Sequence, residues 1–327
     1  MLKRFLIPFL LPMSVNAARP SNKKRRVGGQ AIIEGVMMRG KNSVSWAVRK
    51  NDNEIVVERE EYVSVCKKVR FLAKPVFRGA VSLFESLILG YRALSRSAEI
   101  IEEQERLTAE QAGKTVKKRN ETGEKLTSVI SLVVSFIVAI AVFLYLPMWI
   151  LSHFIPKESA LLFNTLAGTL RIVFMITYMV LISLWKEIRR VFEYHGAEHM
   201  SIFAYEANYT LTIENMRRYP TMHPRCGTSF LLLVGIVCIL LFSVVDAVYI
   251  KFMGPYPSVP VRVLVHLLLV PLVSGTSYEV LRISDKYRHL PLVGLLIKPG
   301  LWLQKITTRT PDDSQLEVAA KALTAAL

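Results

Sequence analysis

From Leu126 to Pro156 the chain reads LTSVISLVVSFIVAIAVFLYLPMWILSHFIP, with no Lys, Arg, Asp or Glu between Lys125 and Lys157. The hydrocarbon core of a bilayer takes about 20 apolar residues in helical form, so a spanning helix is expected over residues 128–152. Between Glu158 and Lys186 the single charge is Arg171, which predicts a second span over 160–184. Between Arg225 and Lys251 it is Asp246, which predicts a third over 228–250. A fourth, over 259–281, carries Arg262, His266, Pro271 and Glu279. Breaks of this kind are tolerated where neighbouring helices satisfy the freed backbone groups.

Basic residues orient such a bundle, because they are retained on the cytoplasmic side. The segment before the first span holds Arg106, Lys114, Lys117, Lys118, Arg119 and Lys125. The loop between the second and third holds Lys186, Arg189, Arg190, Arg217, Arg218 and Arg225, and after the fourth come Arg282, Lys286, Arg288, Lys298, Lys305 and Arg309. The opposite loops and their edges hold Lys157, Lys251 and Arg262, a tally of 18 against 3 that puts both termini and loop 185–227 in the cytoplasm. A net charge of +16 admits nucleic acid or anionic lipid as partner. The hydrophobic blocks decide for the lipid bilayer, since the basic residues cluster beside them. Cys66, Cys226 and Cys238 make no even disulfide framework and fit a reducing compartment.

The basic N-terminal extension, residues 1–27, competes with this topology. Met1 to Ala17 combines Lys3 and Arg4, a short apolar run and Val15-Asn16-Ala17, which resembles a signal peptide. Cleavage would export Lys23-Lys24-Arg25-Arg26 against the charge rule, and Pro8 and Pro12 break the run. An interfacial anchor or a frayed end is therefore the expectation.

Residues 28–101 predict a cytoplasmic sheet followed by an amphipathic helix. The glycine-punctuated run 28–40, Ser43 to Arg49 and Glu54 to Glu60 read as strands, with turn residues Asn51-Asp52-Asn53 between the last two. From Lys74 to Ile101, Val76, Phe77, Val81, Phe84, Leu87, Ile88, Tyr91 and Leu94 recur mostly at helical steps. Their stripe faces either the membrane surface or the sheet. Residues 102–127 are a charged linker or an exposed helix. In 284–327, Leu290 to Ile297 is too short to span, and with Pro299 to Gln304 it suits an interfacial or re-entrant segment. Asp312 with Gln315 resembles a capping box opening a last helix.

Chemistry concentrates in His195-Gly196-Ala197-Glu198-His199. Residues four apart share a helix face, so two imidazoles can reach one metal ion. H-x-x-E-H is the reversed zinc hydrolase signature, in which the glutamate polarises a metal-bound water. Gly196 weakens the helix by roughly 1 kcal/mol relative to Ala. His223 and Cys226, in His223-Pro224-Arg225-Cys226, are candidates for a third ligand on the same loop. Glu279, near the cytoplasmic end of its span, is a further candidate ligand or a partner of one. The bland alternative is a polar helix face at headgroup level. Asp246 and His266 are expected to pair, and Arg171 to snorkel or to pair with Asp246. Glu34 and Arg39 are the polar groups of the first strand run. No Gly-rich phosphate loop or dinucleotide fingerprint occurs.

Four stretches resemble one family. Gly28-Gly29-Gln30-Ala31-Ile32-Ile33-Glu34-Gly35-Val36-Met37-Met38-Arg39-Gly40 is similar to the N-terminal signature of the YqhQ-type bacterial multi-pass membrane proteins. Tyr194 to His199 and His223 to Ser229 resemble its central motifs, and Pro299 to Gln304 with Thr307-Thr308-Arg309 and Pro311-Asp312-Asp313 its C-terminal one. The family is a domain of unknown function whose members carry the label "predicted metal-dependent enzyme". The resemblance implies a bacterial cytoplasmic membrane protein over residues 27–325.

The expected architecture is thus an α+β membrane protein with about four transmembrane helices (128–283), a small N-terminal antiparallel β-sheet and interfacial amphipathic helices. The expected function is metal-dependent, zinc-type hydrolysis of a lipid or membrane-protein substrate at the cytoplasmic surface. His195, His199 and His223 or Cys226 would be ligands, with Glu198 as general base. The alternative is a non-enzymatic membrane adaptor or biogenesis factor that meets protein partners through its basic face.

Overall fold

A computed structural model describes residues 27–113, 121–156, 159–287 and 290–327. The signal-peptide question and part of the charged linker lie outside these residues. The described residues open with four strands, β1 (Gly28–Ile32), β2 (Gly35–Arg39), β3 (Ser43–Arg49) and β4 (Ile55–Glu61), in an antiparallel meander of order β1-β2-β3-β4. The first apolar run therefore makes two strands rather than one. It folds back at Ile33-Glu34, where Glu34 takes φ 51°, an unfavourable turn conformation for a residue with a Cβ. Arg190 and the Tyr194 hydroxyl hold the Glu34 carboxylate, and Arg49 N–H donates to its carbonyl. Gly35 is required where β2 meets β3, because a Cβ there would lie 2.2 Å from the Ala47 carbonyl oxygen.

Successive strand residues point to opposite faces, and both faces of this sheet are covered. On one, Met37, Val44, Trp46 and Val48 pack with Leu89, Ala93 and Ile100 of α1 (Phe77–Gln111). The helix thus sets a buried side on the sheet while Phe84, Leu87, Ile88, Tyr91 and Leu94 remain exposed, so α1 has two apolar sides. It also continues ten residues beyond Ile101 into the stretch expected as linker, where Gln104 accepts from Asn51 N–H.

The helices that follow are α2 (Glu121–Ile140), a π-helical turn (Ala141–Tyr145) and α3 (Leu146–Ser152), then α4 (Ala160–Ile182), α5 (Lys186–Glu206), α6 (Ile213–Arg217) and α7 (Gly227–Met253). The last four are α8 (Val259–Leu268), α9 (Val270–Lys286), α10 (Pro291–Thr307) and α11 (Asp313–Ala326). The second sheet face meets α5 and α11: Val36, Met38 and Ala47 pack with Tyr194, Ala197, Leu316, Ala319 and Leu323. Ser43 and Ser45 hydroxyls donate to the Ala326 and Ala322 carbonyls. The capping box of Asp312 and Gln315 opens α11. Loop 185–227, expected beside the span bundle, thus joins the N-terminal sheet and the C-terminal helix in one α-β-α module.

Among the described residues three helical stretches, Leu126–Ser152, Ala160–Ile182 and Gly227–Met253, are long and apolar enough to cross a membrane. The pair α8 and α9 qualifies as a fourth when taken together across a 50° bend. The bend falls just ahead of Pro271, which has no N–H to continue the helical ladder. Module and apolar helices meet where α1 crosses α9. A γ-turn at Val76 (φ 68°) closes with Phe77 N–H on the Pro75 carbonyl. Gly275 admits that turn, since a Cβ there would lie 2.2 Å from the Val76 carbonyl oxygen.

Candidate metal centre

Helix α5 runs unbroken through the histidine motif, and the packing accounts for its glycine. A Cβ on Gly196 would lie 2.0 Å from the carbonyl oxygen of Arg309, whose chain crosses α5 with Arg309 N–H bonded to the Phe192 carbonyl. Gly196 is thus the notch through which the segment after α10 passes. That crossing brings the Thr307 carbonyl to His195.

The side chains of His195, His199 and Cys226 converge, each offering one ligand atom, and these atoms lie within 4.8 Å of one another. His195 Nε2 is 3.2 Å from Cys226 Sγ. His195 Nδ1 is 2.8 Å from the Thr307 carbonyl oxygen, and His199 Nδ1 is in contact with that of Thr221. A carbonyl only accepts, so both Nδ1 atoms carry hydrogen, and in the neutral rings both Nε2 atoms keep a lone pair. Carbonyl-anchored imidazoles of this kind are the usual arrangement of metal-ligating histidines. Cys226 caps α7, its sulfur accepting from Thr228 N–H at 3.5 Å and contacting the Thr228 hydroxyl at 3.2 Å.

His223 stands beside this group, its ring 5.5 Å from that of His199 and 4.4 Å from that of Phe203. Its Nδ1 accepts from Arg225 N–H at 3.2 Å, the reverse of the other two. In the neutral ring the hydrogen therefore sits on Nε2, which favours Cys226 over His223 as the third donor. Gln304 clamps the His223 backbone from both sides, accepting from its N–H at 2.7 Å and donating to its carbonyl at 2.8 Å. The half-buried Arg225–Glu206 pair ties the same loop to α5.

Glu198 is buried and turned toward the sheet: a Cβ on Gly29 would lie 2.9 Å from its Oε1. Burial pushes its carboxyl up to about 7, against the opposing pull of His195. Glu279 is not brought to the cluster; it forms two hydrogen bonds with Arg78 at the α1–α9 crossing. Arg39 pairs with Glu85 of α1. Sequence reasoning passed over Thr221 and gave Thr307 no role beyond its motif, because both act through backbone oxygens without a side-chain signature. It also gave Gln304 no role, although that residue stands in a quoted motif.

The family model described as "Protein of unknown function (DUF1385)" matches residues 74–327. The "Uncharacterized protein YqhQ" of Bacillus subtilis (strain 168) is 32% identical over 306 residues, covering 90% of each chain. No solved structure matches. By sequence, this chain belongs to the DUF1385 family.

Proposed function

We propose that this chain is a multi-pass protein of the bacterial cytoplasmic membrane with both termini in the cytoplasm. It holds zinc or another divalent metal on His195, His199 and Cys226 and hydrolyses a membrane-associated lipid or peptide. The observation that carries this reading is the convergence of three donors whose histidines are already turned into the ligating tautomer. Two imidazoles and a thiolate suit zinc, and three protein ligands leave the open position that distinguishes catalytic sites from closed structural ones. When bound, the ion supplies Lewis acidity at the scissile group and lowers the pKa of water. The chain's own part is to hold the imidazole orientations through Thr307 and Thr221, to present the Cys226 sulfur at the start of α7 and to exclude bulk water by burial. Glu198, one turn from His195 on α5 and packed toward Gly29, would serve as general base for the attacking water once the metal is bound.

Elemental analysis of the purified full chain beside a His195→Ala/His199→Ala variant tests the centre. Bound metal is expected in the wild type and not in the variant; equal levels in both would remove the catalytic reading. For the orientation, a Ser258→Cys variant is expected to react with an impermeant thiol reagent from outside and Thr210→Cys not to. Labelling of the latter from outside would invert the topology.

A second reading, a membrane adaptor or biogenesis factor without catalysis, is favoured by one observation: the exposed stripe Phe84, Leu87, Ile88, Tyr91 and Leu94 along α1. A Glu198→Gln variant separates the two. Loss of cellular function with metal and fold retained supports the enzyme, and full function supports the adaptor.

A further inference from the structure

A second polar cluster lies between the apolar helices, toward the end of α7 remote from Cys226. Asp246 is fully buried and both its oxygens are engaged. Oδ1 accepts from the Tyr256 hydroxyl and from His266 Nε2, each at 2.9 Å. Oδ2 accepts from Asn164 Nδ2 at 2.7 Å and from Arg262 Nε and Nη2 at 2.8 and 2.5 Å. One cation and one anion are thereby matched, and Arg262 also stacks 3.7 Å over the Phe163 ring.

A second guanidinium, that of Arg171, is left over. Among the described residues its Nε and Nη2 are buried without a hydrogen-bond partner. The expected pairing with Asp246 does not form, because that carboxylate is already saturated. Arg171 lies 5.7 Å from the centre of the Phe242 ring, and His266 stacks on the same ring at 3.9 Å. His266 Nδ1 is a further buried atom without a partner among the described residues. Cys238, another ionisable neighbour of Arg171, is a thiol, which as such carries no charge.

Snorkelling does not relieve Arg171. Gly168 packs on Ile239 and Gly235 on Ile172, so α4 and α7 run antiparallel with Arg171 level with the middle of α7. Half of a core about 30 Å thick is beyond the reach of an arginine stem. An ionisable group at such depth faces a partner or a pathway.

We propose that α4, α7 and α8 form a binding site for a small oxyanion of carboxylate or phosphate type, held by Arg171 beside Phe242. Neutral His266, whose Nε2 hydrogen goes to Asp246, keeps a lone pair on Nδ1 and is not a donor to the anion. The planar guanidinium donors match such a group. One negative charge there balances the cluster, with Arg171 and Arg262 set against Asp246 and the anion. The depth argument rests on the membrane reading; the charge balance does not, since the helices bury Asp246, Arg262 and the Nε and Nη2 of Arg171 among themselves. The anion is either a soluble ion or a lipid phosphate.

Both sources are tested on the full chain and its R171Q and R171K variants in lipid nanodiscs, following Tm. In zwitterionic discs, sodium acetate and sodium phosphate are titrated against sodium chloride at matched ionic strength. In a second series the fraction of phosphatidylglycerol is raised. A saturable rise of several degrees is expected in one series, absent with chloride, lost in R171Q and weakened in R171K. A response to soluble salts identifies a free anion, and a response to the lipid series identifies a lipid phosphate. No saturable rise in either series, or one unchanged in R171Q, overturns the proposal. Should R171Q fail to fold, equilibrium binding of radiolabelled acetate and phosphate to wild type and R171K decides the soluble arm. The lipid arm is then read from the weakening in R171K alone. Failure of the membrane reading would show separately, as a chain that stays in solution without detergent.

Discussion

In the layered module Met38, Tyr194, Leu316 and Leu323 are fully buried, whereas along α2 Phe136, Ile137 and Val138 are 66%, 60% and 53% exposed. The most apolar window of Leu126–Ser152 has none of its residues buried within the protein. Equally hydrophobic side chains are thus packed away in one region and displayed in the other. A large displayed apolar surface is costly in water and neutral in lipid. The polar groups invert the pattern. The module displays its charges in exposed pairs such as Arg217–Asp313, and the helices hide theirs in the saturated shell of Asp246.

The largest effect expected from this contrast is at Asp246. Replacing it by Ala leaves Arg262 and His266 buried without their anion, at a cost of about 3–5 kcal/mol. Unfolding of detergent-solubilised protein should show it. A loss below 1 kcal/mol would mean that water reaches the cluster and that the helices are not packed as described. Next comes Ile137→Lys on α2. In a bilayer it should cost about 2.5–3.5 kcal/mol of insertion and deplete the membrane fraction. The same change at an exposed site in water would be harmless, so unchanged insertion would break the contrast. The smallest effect lies at the joint between the regions. Gly196→Ala pushes back the Arg309 carbonyl and with it the Thr307 oxygen that orients His195. Metal affinity should fall about 10–100-fold while the helix content holds. Unchanged affinity would show that the carbonyl does not orient the ligand.

Much of this was readable in advance where the signal is local. Charge-free length marked the apolar helices, the Asp312–Gln315 box opened α11, and the four-residue step put His195 and His199 on one face. What was hidden depends on distant partners. The Ile33-Glu34 turn contains neither Gly nor Asn, and Glu34 is held there by Arg190, 156 positions away. Which of His223 and Cys226 converges with His195 and His199 could not be read from spacing, because it turns on what each residue's backbone and neighbours donate. Gly196 counted against the helix as a propensity and for it as a notch, and only the crossing chain reveals which effect wins.

The shared core of β1–β4, α5 and α11 also imposes a schedule. About 260 residues separate the end of β3 from the start of α11, so at ribosomal rates of roughly 5–20 residues per second the sheet waits some 15–50 s for its last cover. During that interval Val36, Met38 and Ala47 lack the α11 side chains that bury them in the finished chain. The module is thus begun before the apolar helices and completed after them.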